Sequence, residues 1–225
     1  MNAERLERTD AFLKAELMKL ASYQDNIPRM AEYRIEHSYR VANIGAKIAA
    51  AEGFDVEKTY IACLLHDIGY AVNFTSADDY RNHGRYGAEI ARPFLRSLGF
   101  SEADVSEMCY GIAIHVDDRA DFEGERTPLA LTVSDADNVD RFDAYRIYEG
   151  LQNCDYMNLP LEKQREHVQK YLDRLPRLRE LPCGTKTGEA LWKEKIDYQI
   201  GFHQRLLHQI ETSRGFAVPA ESEAE

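Results

Sequence analysis

Leu64-Leu65-His66-Asp67-Ile68-Gly69 is the stretch from which the chain is best read. An imidazole and a carboxylate stand side by side at the end of an apolar helical pattern, Ile61, Ala62, Leu64, Leu65 and Ile68, and a glycine follows that would stop the helix. Asp55 is placed to cap the start of that helix. A polar pair entering an apolar interior is costly unless it is paired or bound to a cation. The stretch therefore predicts a metal centre with His66 and Asp67 at its middle, completed by other inward-facing histidines and one later aspartate.

The flanking segments supply those histidines. Residues 31 to 52 carry the stripe His37, Val41, Ile44, Ile48, steps of four, three and four that share one helix face, and Gly53 ends it. After a polar loop the stripe His83, Gly87, Ile90, Phe94, Leu98 marks another helix, which Pro93 is expected to kink or break. Ser101 to Asp104 resembles a capping box ahead of Val105, Met108, Ile112, His115. Pro128 opens the run to Asp137, apolar nearly all round and read as a buried helix bearing acids.

The remaining segments carry no chemistry of their own. Residues 4 to about 21 read as a helix closed by the turn-like Gln24–Pro28, and further helices are expected at about 142 to 152 and 160 to 175. The last and most regular stripe is Trp192, Ile196, Ile200, His203, Leu207, Ile210. His203 reads as a core or boundary residue, His167 and His208 as surface positions. With no internal repeat and no sustained strand alternation, the fold class is all-α, a single globular helical domain over residues 1–214. Its metal-site core would span about 33–145, with helices of 146–214 packing on it, and residues 215–225 would be a disordered acidic tail.

Composition narrows the functions. With 225 residues, 44% hydrophobic and 30% charged, the chain is an ordinary folded protein, and its net charge of -11 disfavours a nucleic-acid polymer, which needs a basic surface. A small phosphorylated substrate remains compatible if bound cations reverse the local field. Met1–Arg8 is too charged for a signal-peptide core and no run reaches bilayer length, so no membrane association is expected. Cys63, Cys109, Cys154 and Cys183 form no Cys-x-x-Cys pair and read as reduced thiols of a cytoplasmic protein. Monomer and homo-oligomer stay open.

Taken singly, His37, His83 and His115 are each ordinary core histidines; together with His66-Asp67 they point to a metal. In the order Glu36-His37-Ser38-Tyr39-Arg40-Val41-Ala42, Leu65-His66-Asp67-Ile68-Gly69, and Asp135-Ala136-Asp137-Asn138-Val139-Asp140-Arg141, the sequence resembles the HD-domain superfamily of metal-dependent phosphohydrolases, in its bacterial single-domain branch. The resemblance covers about residues 33 to 145. It implies a helical HD fold and makes His37, His66, Asp67 and one late aspartate metal ligands. Asp135 and Asp137 lie about 200° apart on a helix, so both cannot face one ion. The family pattern, in which the ligand follows an alanine, selects Asp137, with Asp135 the alternative.

His83 and His115 resemble the extra histidines of binuclear members, and two divalent ions are favoured over one, drawn from Mn, Fe, Co or Ni ahead of Zn or Mg. Asp67 would bridge the ions, and Asp67, His83, His115 and Asp118 would be catalytic, Asp117 and Asp118 as proton donors or supporting carboxylates. Arg40, Arg81 and Arg85 are the candidate phosphate binders. The implied function is hydrolysis of a small phosphoester, a nucleotide among the candidates, by attack of metal-bound hydroxide on phosphorus. The alternative is a mixed-valent di-iron oxygenase of the same superfamily. Tyr70 stands where the cyclic-dinucleotide branch has lysine, and the guanosine-tetraphosphate branch is matched poorly around Asn138-Val139-Asp140, so neither substrate transfers. Residues Thr185–Lys195 resemble a closing segment of structural role.

Overall fold

The computed structural model describes residues 1–19 and 30–213; the Gln24–Pro28 turn and the tail from Gly215 expected above lie outside them. The described residues contain helices and no strand. In order they are α1 (Ala3–Leu17), α2 (Met30–Glu52), α3 (Val56–Leu64), α4 (Ala77–Ser97), α5 (Glu102–Ile114), α6 (Pro128–Arg141), α7 (Ala144–Asn153), α8 (Leu161–Arg179) and α9 (Lys186–Thr212), with short 3-10 turns at Ile68–Ala71 and Tyr156–Asn158. The expectation of an all-α fold is met.

The helices begin where side chains can satisfy their first amides. Asp55 accepts from the Lys58 N–H at the start of α3, and Ser101 from the Asp104 N–H at the start of α5. Ser76 and Asp79 form a full capping box on α4, inside the loop that reads only as polar. Gly53, at φ +80°, closes α2 in the left-handed conformation that a glycine adopts without steric cost. Two expectations need correction. Of the kink or break expected at Pro93 the break is absent, since α4 runs through to Ser97; the carbonyl that the proline deprives of a partner belongs to Glu89, an exposed residue. α3 ends earlier than the apolar pattern suggests, at Leu64, so His66 and Asp67 sit in the turn beyond it.

The chain divides into two compact units. The first comprises Met1–Arg141 and Pro182–Trp192. Its core is built from Leu13, Val41, Ile61, Leu64, Leu65, Ile68, Leu95, Met108, Ile112 and Val133, with α2 against α3 and α6, and α4 against α5. The second comprises Phe142–Leu181 and Lys193–Glu225 and is centred on Tyr156, Val168 and Ile210. Within it His203 is buried and stacks on Tyr171 at 4.6 Å. His167 is half-buried against Tyr156 and Tyr171 rather than at the surface, while His208 is exposed. Among the described residues no helix is long and apolar enough to cross a membrane.

Gly69 has a different role from a helix stop. A Cβ there would lie 1.9 Å from the His83 carbonyl oxygen and 2.8 Å from the Gly87 nitrogen. Only a residue without a side chain lets the turn carrying His66 and Asp67 rest directly on the backbone of α4. That contact brings His83 beside Asp67.

Candidate metal centre

Asp67 is the middle of a buried cluster. Its Oδ2 faces His37 Nε2 at 3.7 Å and His66 Nε2 at 3.6 Å, and its Oδ1 faces His83 Nε2 at 3.2 Å and His115 Nε2 at 3.7 Å. The four imidazoles thus divide into two pairs, one on each carboxylate oxygen. Within the pairs, His37 and His66 Nε2 atoms are 3.2 Å apart, and those of His83 and His115 are 3.1 Å apart. Asp137 joins the first pair, its Oδ1 3.1 Å from His37 Nε2 and 3.8 Å from His66 Nε2.

The far side of every ring is engaged. His66 Nδ1 donates to the Cys63 carbonyl at 2.8 Å, His115 Nδ1 to the Ile112 carbonyl at 2.7 Å, and His83 Nδ1 to the Tyr80 carbonyl, each acceptor three residues earlier. His37 Nδ1 is held by Asp140 Oδ2 at 2.7 Å. A proton fixed on Nδ1 leaves Nε2 as a lone pair, so all four rings turn acceptors toward one another and toward two carboxylates. Such a set is unfavourable alone and fits divalent cations: the groups His37, His66, Asp67 and Asp67, His83, His115 each present ligand atoms within 4.8 Å of one another. Imidazole and carboxylate donors without thiolate suit Mn, Fe, Co, Ni or Zn.

The electrostatics agree. Burial opposes charge on Asp67, but neighbouring His66 and Arg34 hold its carboxyl well below the usual carboxylate range. Burial likewise pulls His37 down, yet Asp137 and Asp140 outweigh it and push the ring up to about 9. His66, fully buried, is pulled down to about 4 by desolvation. In the absence of a cation, Asp137 and Asp140 favour a proton on His37.

Asp135, the alternative ligand, points away from this cluster. It accepts from the Gly184 N–H at 2.9 Å, the Thr185 N–H at 3.1 Å and Thr185 Oγ1 at 3.1 Å, and so ties α6 to the segment preceding α9. Asp118 lies on the exposed loop after α5, at φ +63° and paired with Arg126. Of the three arginines expected to meet phosphate, Arg40 donates to Asp140 Oδ1 at 2.8 Å, and Arg81 stands in solvent 3.8 Å from Asp78. Arg85 is spent on Asp117, Asn82 and the carbonyls of Arg81 and Arg119. Sequence reasoning missed Asp140 and Arg34. Both were signalled by spacing: Asp140 follows Asp137 by three and Arg34 precedes His37 by three, each on the same helix face as its neighbour.

Residues 34–141 match the family model described as the HD domain, and this segment is assigned to the HD-domain superfamily. Among curated proteins it is 45% identical over 60 residues to Ribonuclease Y of Mycoplasma mycoides, covering 27% of this chain and 14% of that one. It is 32% identical over 116 residues to Ribonuclease Y of Lawsonia intracellularis, covering 52% and 18%. The matches thus span less than a fifth of those relatives. A solved structure from an uncultured Thermotogales bacterium, described as an HD superfamily hydrolase, aligns over 93% of this chain and 99% of its own with a TM-score of 0.60 at 22% identity, a likeness of fold.

Proposed function

We propose that the chain is a metal-dependent phosphohydrolase acting on a small phosphoester, nucleotides included. One observation carries the reading: four histidine Nε2 atoms, each with its Nδ1 proton engaged elsewhere, meet in two pairs on the two oxygens of Asp67. In this reading His37, His66, Asp67 and Asp137 hold one divalent ion, and Asp67, His83 and His115 hold a second. When bound, such a pair supplies a hydrolytic nucleophile near neutral pH and neutralises charge on phosphoryl oxygens.

The chain's own residues do the rest. The Nδ1 bonds hold the rings at fixed angles, Asp140 raises the basicity of His37, and Arg40 keeps Asp140 ionised and aimed. Burial of the whole cluster keeps bulk water from screening these charges. The relatives' name keeps an RNA phosphodiester among the substrates to be tried, although a net charge of -11 works against a long polyanion. The second reading, a di-iron oxygenase, is favoured by the same set of four histidines and two aspartates, whose nitrogen and oxygen donors accept iron.

The test is metal analysis of protein purified without chelator, joined to a panel of phosphomonoesters, nucleotides, diesters and short RNA with Mn, Fe, Co, Ni and Mg. His66→Ala and Asp67→Ala lose both metal and phosphate release. Full activity in a metal-free variant refutes the proposal, and substrate-dependent oxygen uptake without phosphate release transfers it to the oxygenase.

A further inference from the structure

The carboxylates of the cluster each have one oxygen turned toward an arginine that the readings above leave without a role. Arg34 sits one turn before His37 on α2 and donates from Nη1 to Asp67 Oδ2 at 2.7 Å. Its guanidinium carbon lies over the Tyr70 ring, 3.8 Å from the centroid. Its Nε is buried with no hydrogen-bond partner, and among the described residues Asp67 is the one acceptor it uses. In a side chain four-fifths buried, that unpartnered Nε donor is costly unless something from outside completes it. Arg141, the last residue of α6 and one turn beyond Asp137, places Nη1 3.6 Å from Asp137 Oδ2 and is half exposed. Both arginines act electrostatically on the Tyr70 hydroxyl.

We infer that Arg34 and Arg141 form the anion-binding half of this site and take the oxygens of a terminal, dianionic phosphate monoester. The inference rests on the phosphohydrolase reading and extends it from the cations to the substrate. Planar N–H forks match phosphate oxygens two at a time. Arg40 and Arg85, by contrast, have their donors engaged by carboxylates within the fold. Charge selects the monoester. Two divalent ions on Asp67 and Asp137 leave an excess of about two positive charges, and the arginines raise it to about four, which favours a dianion over a singly charged diester. The Tyr70 ring on one side and Asp67 on another hold Arg34 in place before an anion arrives.

The experiment measures orthophosphate binding to the Mn-loaded full chain by calorimetry, alongside Mn content and melting temperature. Arg34→Gln and Arg141→Gln each weaken orthophosphate binding by about tenfold or more while keeping the wild-type Mn content, because losing a cation beside a carboxylate does not weaken a metal site. Arg34→Lys, with charge but no fork, falls between. Arg96→Gln, which breaks an exposed pair with Glu102, changes nothing. Arg141→Gln, at a half-exposed position, carries the test should Arg34→Gln fail to fold. Binding within about twofold of wild type in both glutamine variants overturns the assignment and leaves the hydrolase reading standing. Joint loss of Mn and phosphate in both variants also overturns it, making the arginines supports of the carboxylates. Failure of the Mn-loaded wild type to bind orthophosphate brings down the hydrolase reading itself.

Discussion

Replacing Gly69 with alanine tests whether the turn carrying His66 and Asp67 needs bare backbone contact with α4. The added Cβ would fall 1.9 Å from the His83 carbonyl oxygen, 2.9 Å from its carbon and 2.8 Å from the Gly87 nitrogen. A carbon and a carbonyl oxygen rest at about 3.3 Å or more, so the turn must retreat from α4 by about 1.4 Å. The obstacle is helix backbone, which cannot swing aside as a side chain can. Overpacking of this kind costs about 1–3 kcal/mol, which in a chain of this size lowers the melting temperature by about 2–12 °C.

The retreat also pulls His83 from Asp67, now 3.2 Å apart, by several times the roughly 0.2 Å tolerance of a metal bond. In the proposed two-ion site the ion at His83 and His115 is therefore lost, and the ion at His37 and Asp137 is weakened, because His66 and Asp67 move with the turn. Turnover falls by about a hundredfold. Elemental analysis of chelator-free protein and a thermal melt read both effects. A Gly69→Ala protein with unchanged melting temperature and unchanged metal content refutes the reasoning.

Asp137→Asn lowers metal content and turnover, whereas Asp135→Asn leaves both intact and costs about 1–3 kcal/mol of stability by disrupting the three hydrogen bonds from Gly184 and Thr185. Metal analysis and denaturant titration of the two variants separate the roles, and an exchange of these outcomes would reverse the assignment. Chelator-treated protein is expected to melt highest near pH 6.5. His37 is raised to about 9 in the fold, so its stabilisation is full below its unfolded value of 6.5 and disappears as pH rises toward 9. His66 is lowered to about 4, so its stabilisation is present above 6.5 and disappears as pH falls toward 4. Metal-loaded protein lacks the alkaline loss, since the cation replaces the His37 proton; a metal-free melting temperature that climbs from pH 6.5 to 9 contradicts this.

The helices were legible because apolar spacing and caps are local signals, as the stripes that contain His37, His83 and His115 show. Boundaries were less so. Periodicity carries Ile68 into line with Ile61 and Leu65, but the helix gives way after Leu64, where the backbone turns to lay Gly69 on α4. Asp135 and Asp137 look alike in sequence, and the difference between them is made by Thr185, 50 residues away. Separation along the chain also hid the fate of Arg40 and Arg85, whose carboxylates are 100 and 32 residues away: an arginine beside a histidine reads as a phosphate ligand until the carboxylate that occupies it is known. The spacing of Arg34 to His37 was visible in sequence, but the Tyr70 ring beneath it and its bond to Asp67 belong to the fold.

Three of the four central rings are locked by a carbonyl three residues earlier in their own chain turn, at Cys63, Tyr80 and Ile112. Their readiness is a local property, acquired when each short segment curls up and independent of its neighbours. His37 is the exception, since its lock is Asp140, 103 residues downstream. It is ready only when α2 and α6 have met. The site therefore assembles as three pre-set parts and one conditional one, and the protonation of His37 is the natural reporter of the moment at which the fold is complete.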